Sequence, residues 1–159
     1  MLIKRITLIT LTLLMALCLA IIPLPDWALW LRPAWVALVL IYWTMMLPNH
    51  VSVGIAWLVG LLVDILDGTL FGEHALALVI VSFCVIKLHR QVALSPLWLQ
   101  SLCVGFFILI YQVTLFLVQG ITGDVITYWQ FWVVPAVSLF YWPWLYIVLQ
   151  SYRHRYRLR

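Results

Sequence analysis

Apolar residues fall into six long runs that cover most of the chain. The runs span about residues 6–25, 33–48, 51–66, 74–88, 97–119 and 128–149. Segments that contain proline, glycine or charged residues separate them, at 23–26, 48–50, 67–73, 87–96 and 120–124. Apolar runs bounded in this way are typical of helices that cross a membrane. The pattern predicts an all-α integral membrane protein, with six helices in a single transmembrane domain that takes up residues 1–159.

The lengths of the runs leave one point of topology open. A helix needs roughly 20 residues to cross about 30 Å of hydrocarbon. The first, fifth and sixth runs meet this requirement, whereas the second, third and fourth are shorter. Residues 33–66 are enough for two thin crossings, but a re-entrant hairpin is an alternative because the turn at Asn49 and His50 carries no Lys or Arg. Length favours six crossings.

Composition supports a lipid environment. Hydrophobic residues make up 67% of the chain and charged residues only 9%, against about 45–50% and about 25% in soluble domains. So few charges could not cover a soluble surface, whereas lipid tolerates an apolar exterior. The net charge of +4 does not indicate nucleic-acid binding, because the basic residues stand at the predicted helix ends, where membrane proteins carry them.

Charge placement predicts the orientation. With the N-terminus in the cytoplasm, the outer segments hold four of the five acids and only Arg32 among the bases. The inner segments then hold the other eight of nine basic residues, namely Lys4, Arg5, Lys87, Arg90, Arg153, Arg155, Arg157 and Arg159. This division satisfies the positive-inside rule. Both termini are therefore predicted to be cytoplasmic.

The three cysteines lie inside apolar runs. Cys18, Cys84 and Cys103 have no ligand-spaced histidine or second cysteine nearby, which favours small buried hydrophobes over a disulfide or a metal site. A lipoprotein signal would place a small residue before Cys18, and Leu17 stands there instead. The first run is accordingly interpreted as a retained helix.

A stripe of small residues marks the third run. Ser52, Ala56, Gly60 and Asp64 recur every four residues, so they share one helical face. Small residues at this spacing let another backbone approach closely. The stripe predicts either a packing seam within the bundle or a docking face for a partner's helix, and packing is favoured because such stripes so often serve bundle assembly.

Asp64 is an acid near the end of an apolar run. It could act as a proton relay or a counter-ion, since a carboxylate in hydrocarbon needs compensation. A carboxylate at the interface, reaching outer water or pairing with Arg32, is favoured because acids near membrane ends cost less than central ones.

Other polar residues in or beside the runs have structural interpretations. Gln112 and Gln119 share a face and are predicted to hydrogen-bond another helix, and Pro135 and Pro143 are predicted to kink the sixth helix. The histidines are interpreted as solvated or interfacial, at positions 50, 74, 89 and 154. No catalytic triad, phosphate loop or metal cluster is found, so the sequence predicts a non-enzyme without cofactor or metal.

Several short motifs carry a resemblance to a known family. They are Arg32-Pro33-Ala34-Trp35-Val36, Tyr42-Trp43, Leu47-Pro48, Val51-Ser52-Val53-Gly54, Gly60-Leu61-Leu62-Val63-Asp64 with Gly68 and Gly72, and Trp142-Pro143-Trp144. Their order and spacing resemble the proteobacterial rod shape-determining proteins of the MreD family. Arg32, Pro33 and Trp35 form a motif that is predicted to lie at the membrane interface on the side away from the cytoplasm.

The resemblance implies a non-enzymatic, multi-pass subunit of the cell-elongation machinery in a bacterial inner membrane. It would bind the bitopic membrane protein MreC and work with MreB filaments, RodA and a class B penicillin-binding protein in lateral peptidoglycan synthesis. The family is also similar in its six-helix arrangement to the substrate-binding component of energy-coupling-factor transporters. That similarity motivates the alternative, a small-molecule-binding membrane subunit of a transporter, which should contain a closed polar cavity.

Overall fold

A computed structural model describes residues 2–123 and 129–155 as an all-helical protein. Its α-helices are α1 (Leu2–Ile21), α2 (Trp35–Met46), α3 (Val53–Asp67), α4 (Glu73–Leu94), α5 (Leu97–Thr122) and α6 (Val134–Arg155). Two 3₁₀ segments, Asp26–Leu31 and Trp129–Val133, precede α2 and α6. No strand occurs in either described range. The six helices predicted from the apolar runs are confirmed.

Prolines and glycines set most of the helix boundaries. α1 ends two residues before Pro23, and α5 begins directly after Pro96, because proline lacks an amide proton and restricts the residue before it. The fourth run was predicted to end at residue 88, which is wrong, since α4 continues to Leu94. Lys87 and Arg90 are good helix formers, and no proline or glycine stands between residues 73 and 95 to stop the helix.

The short helix α2 forms the centre of the bundle. Ten consecutive residues, from Val36 to Met45, are buried, which agrees with a sequence that is apolar around the whole helix. α2 contacts α1, α4, α5 and α6. On α1, Thr12 accepts a hydrogen bond of 2.8 Å from the indole nitrogen of Trp43. The 12 residues of α2 are therefore enclosed mainly by the other helices.

Successive helices run in opposite directions, so the described charges other than Arg32 separate by sign to opposite ends of the bundle. Four acids (Asp26, Asp64, Asp67 and Glu73) lie at the end where α3 meets α4. The opposite end carries the first turn of α1, the turn between α2 and α3, and the last turn of α6, where Arg153 Nη1 lies 2.9 Å from Met46 Sδ. We call this second end the basic end. Asp124, Arg157 and Arg159 lie outside the described residues.

Within residues 2–123 and 129–155, three helices are long and apolar enough to cross a membrane by length and composition: Glu73–Leu94, Leu97–Thr122 and Phe131–Arg155. Trp27, Trp129 and Trp132 are exposed at the end of the bundle opposite the basic end, and Trp98 and Tyr152 are exposed at the basic end. Aromatic side chains at both ends are typical of the interfacial belts of membrane proteins. Pro135 falls in the first turn of α6 and Pro143 lies inside the helix, and the kinks expected at these two positions stay predictions.

Candidate functional site

The site predicted on the third run is the place where α3 and α4 approach each other. α3 packs more extensively on α4 than on any other helix. Gly60 lies directly against the first turn of α4, where a Cβ atom would stand 2.6 Å from the backbone nitrogen of Ala75 and would overlap its Cα. A side chain of any size at position 60 would therefore push the two backbones apart.

One turn further along α3, the Asp64 carboxylate holds the start of α4. Only 1% of this residue is exposed. Its Oδ2 accepts a hydrogen bond of 2.8 Å from the Gly72 amide, and Oδ1 accepts one of 2.9 Å from the His74 amide. The His74 ring nitrogen Nδ1 lies 2.9 Å from Oδ1, and the Thr69 hydroxyl donates to Oδ1 over 3.2 Å. A carboxylate at the amino end of a helix satisfies orphan amides and opposes the positive end of the helix dipole.

The connection between the two helices folds back over Asp64. Gly68 and Gly72 both have positive φ values, 65° and 102°, which glycine adopts without steric cost. The backbone carbonyl of Asp64 accepts a hydrogen bond of 3.2 Å from the backbone amide of Thr69. Two left-handed turns thus return the chain to the carboxylate. We call the group of Asp64, Thr69, Gly72 and His74 the carboxylate clasp.

The clasp corrects two interpretations made from the sequence. Asp64 was expected to reach outer water or to pair with Arg32, and this is wrong because its carboxylate is buried against the 69–74 segment. His74 was expected to be solvated or interfacial, and a solvated ring is wrong because the ring is mostly buried and pairs with Asp64. The signal that points to the clasp is an acid near a helix end followed by two glycines that permit a tight return of the chain.

Polar contacts continue from the clasp onto α5. The Gln119 amide donates a hydrogen bond to Glu73, which is buried at the start of α4. The rings of His74 and Tyr111 lie 6.1 Å apart between centroids. Gln112 donates a hydrogen bond of 2.8 Å to the Phe131 carbonyl. The prediction that Gln112 and Gln119 turn inward to bond other helical segments is confirmed.

The other residues of the small-residue stripe and those of the predicted interface motif lie away from the clasp. Ala56 is fully buried on α3, whereas Ser52 is exposed just before the helix begins, with no capping hydrogen bond from its side chain. Pro33 is buried and Arg32 half-buried. Trp35 packs edge-on against Tyr141 of α6, with ring centroids 5.4 Å apart. Three of the four stripe residues therefore face the protein interior, while the interface motif leads the chain into α2.

The chemistry available at this site is that of packing and hydrogen bonding. Within the described part of the chain, no group of three or more His, Cys, Asp or Glu side chains could hold a metal ion. Asp64 has its acceptor positions filled by protein donors, which leaves little capacity for a substrate.

The three cysteines are free and separate. Cys18 is exposed, and Cys84 and Cys103 are half-buried, so the expectation of burial is wrong for Cys18.

Replacing all three cysteines with alanine should leave cell shape and protein level nearly unchanged, because the described thiols make no disulfide and fill little core volume. Microscopy and immunoblotting of a strain carrying the triple variant measure this. Rounded cells at a normal protein level would show that a thiol matters.

Comparison with known proteins shows which family the chain matches. The family model described as "rod shape-determining protein MreD" matches residues 2–152. The curated "Rod shape-determining protein MreD" of Haemophilus influenzae is 34% identical over 143 residues, which cover 90% of this chain and 88% of that protein. No solved structure shows significant similarity to the chain. The resemblance carried by the sequence motifs is confirmed.

Proposed function

The chain belongs to the MreD family of rod shape-determining proteins, and from this premise we propose that it is a non-enzymatic scaffold subunit of the cell-elongation machinery. In this role it binds MreC in the inner membrane and supports lateral peptidoglycan synthesis alongside MreB, RodA and a class B penicillin-binding protein. The observation that carries the proposal is the family match along almost the whole of an apolar, all-helical chain.

The stripe on α3 has an internal role in this proposal. Gly60 and Asp64 bind α3 to α4 through a backbone approach and a clasp, and both are buried. A partner's helix would therefore meet a different surface. The outward side of α3 displays large apolar side chains, among them Trp57, Leu58 and Ile65, which suits contact with lipid or with another membrane helix.

The transporter alternative finds less support in the structure. A small-molecule subunit should hold its ligand between helices in a largely enclosed pocket with a few convergent polar groups. The grooves between α1 and α6, between α4 and α5, and between α1 and α3 are all lined mainly by apolar side chains. Such walls suit acyl chains and packed helices.

Affinity purification tests the scaffold role directly. The full chain, tagged at one terminus and extracted from rod-shaped cells in mild detergent, should bring down MreC and other elongation proteins. A tagged, unrelated multi-pass protein of similar abundance serves as the control. Recovery of an energy-coupling ATPase pair without elongation proteins would support the transporter alternative and overturn the scaffold proposal.

Reporter fusions test the proposed orientation. A reporter that is active only in the periplasm should be silent when fused after Arg159 and active when inserted near Asp124. The physical reason is the eight-to-one division of basic residues between the two ends, which holds the basic end in the cytoplasm. An active reporter at Arg159 would contradict the six-crossing arrangement.

A further inference from the structure

The short segment that joins α3 to α4 carries two large apolar side chains on the surface of the molecule. Residues 68–72 read Gly-Thr-Leu-Phe-Gly. Leu70 is 56% exposed and Phe71 is 69% exposed. The segment precedes the membrane-length helix Glu73–Leu94, so it lies outside that span, at the end of the bundle opposite the basic end. We call Leu70 and Phe71 the apolar tip.

The backbone of the apolar tip is held on both sides. The residue before it, Thr69, and the residue after it, Gly72, are both hydrogen-bonded to the Asp64 carboxylate. The Leu70 carbonyl accepts a hydrogen bond of 3.1 Å from the Glu73 amide. A loop that is already fixed loses little conformational freedom when its side chains bind a partner. The clasp therefore pre-organises the tip for binding.

The charge beside the tip is negative. Asp67 is exposed and stands three residues before Leu70, so their Cα atoms are at most about 11 Å apart. No basic side chain of the described residues forms an ion pair with Asp67, whereas His74 is mostly buried against Asp64. Asp64 and Glu73 are themselves buried. Asp67 is therefore the carboxylate that this segment presents to a binding partner.

The composition of the segment favours a protein over the lipid surface as this partner. Segments that rest on a membrane surface carry Trp or Tyr, or Lys and Arg beside their apolar side chains. Residues 67–73 contain none of these four residue types and have an acid at each end. A protein with an apolar pocket and a basic residue beside it matches both the side chains and the charge.

We propose that the apolar tip anchors a protein partner on the side of the membrane opposite the basic end. Phe71 and Leu70 enter an apolar pocket of the partner, and a Lys or Arg at the pocket's rim pairs with Asp67. An aromatic side chain seated in a pocket often dominates the binding energy, and complementary charges select the partner and fix its orientation.

The tip forms part of a larger contact. A specific interface buries about 1,200 Å² or more, and the exposed side chains of Ile65 and Leu66 extend the apolar surface from the tip onto α3. The inference rests on the proposed scaffold function, and it identifies the surface at which that function brings a partner to the chain.

Co-purification of tagged variants tests the anchor, with MreC, the partner in the proposed function, as the probe. Phe71→Ser should lower the recovery of MreC about tenfold or more at an unchanged protein level, because an exposed side chain contributes little to the core. Leu94→Ser is the matched control, since Leu94 is 88% exposed but lies at the basic end, and it should leave recovery unchanged. Immunoblotting of membrane fractions measures the protein levels.

Photocrosslinking in cells shows what the tip contacts. The photoreactive residue p-benzoylphenylalanine replaces Phe71 with another aromatic side chain, and it should crosslink to a segment of MreC that contains Lys or Arg. Adding Asp67→Lys should lower the crosslink several-fold, because a positive charge would then face the basic rim. Asp67→Asn should lower it less. The crosslinked peptide is identified by mass spectrometry.

The outcomes separate this inference from the function on which it rests. Crosslinking of position 71 to phospholipid alone would assign the tip to the membrane surface and overturn the inference. Full recovery of MreC with Phe71→Ser would overturn it as well, and would leave the proposed function standing. Failure of the wild type to recover MreC would overturn the proposed function and the inference together.

Discussion

Replacing Gly60 with leucine is expected to separate α3 from α4 and to prevent stable accumulation of the protein. Even a Cβ atom at this position would stand 2.6 Å from the Ala75 backbone nitrogen, and backbone cannot move aside as the tip of a side chain can. Overpacking of a well-packed contact costs about 3 kcal/mol at the upper end of the usual range. In lipid, close packing is a main source of helix association, so the whole α3–α4 contact is affected.

Gly54 offers a matched control on the same helix. A Cβ atom there would meet only the Ser52 hydroxyl oxygen, at an ordinary 3.6 Å. Gly54→Ala should therefore accumulate as the wild type does, whereas Gly60→Ala should already lower the protein level, and Gly60→Leu more so. Immunoblotting of membrane fractions and thermal unfolding of the purified variants measure these differences.

The Gly60 variants also distinguish the two interpretations of the stripe. An internal seam predicts a variant that is poorly folded and degraded. A docking face predicts a variant that accumulates normally but loses MreC and no longer supports rod shape. If Gly60→Leu accumulates, retains MreC and keeps cells rod-shaped, both interpretations are wrong.

Replacing Asp64 with alanine is expected to release the segment that leads into α4. The substitution removes the acceptor for the Gly72 and His74 amides, the His74 ring and the Thr69 hydroxyl. Charge-assisted hydrogen bonds contribute more than neutral ones, and donors left buried without a partner carry their full desolvation penalty. A loss of about 3 kcal/mol in the free energy of unfolding follows, visible as a lower Tm of the detergent-purified protein.

Two further variants show whether the clasp is responsible. Asp67→Ala removes a carboxylate three residues away that is exposed, and it should change Tm little. Asp64→Asn retains one oxygen acceptor and should fall between Asp64→Ala and the wild type. A wild-type Tm for Asp64→Ala would mean that the clasp does not stabilise the fold.

The apolar runs were enough to predict the number and type of the helices. A helix in lipid must satisfy its backbone groups internally and bury its apolar surface in hydrocarbon or protein, so the runs of apolar residues mark the helices without any reference to their neighbours. Pro23 and Pro96 mark helix ends for an equally local reason, since proline disrupts helical hydrogen bonding wherever it stands. The motifs from Arg32 to Gly72 were sufficient to indicate the family, which the match over residues 2–152 establishes.

Which residues come into contact could be learned only from the packing of the helices. Spacing placed Gly60 and Asp64 on one face of a helix, but it could not say that the first turn of α4 covers that face. The partner of Asp64 depended on the left-handed turns at Gly68 and Gly72, which bring His74 back to the carboxylate. The same holds for the groove between α1 and α3, because a cavity exists only through the relative positions of helices distant in sequence. Local sequence sets the backbone conformation, whereas a buried hydrogen bond depends on two segments whose separation the whole fold determines.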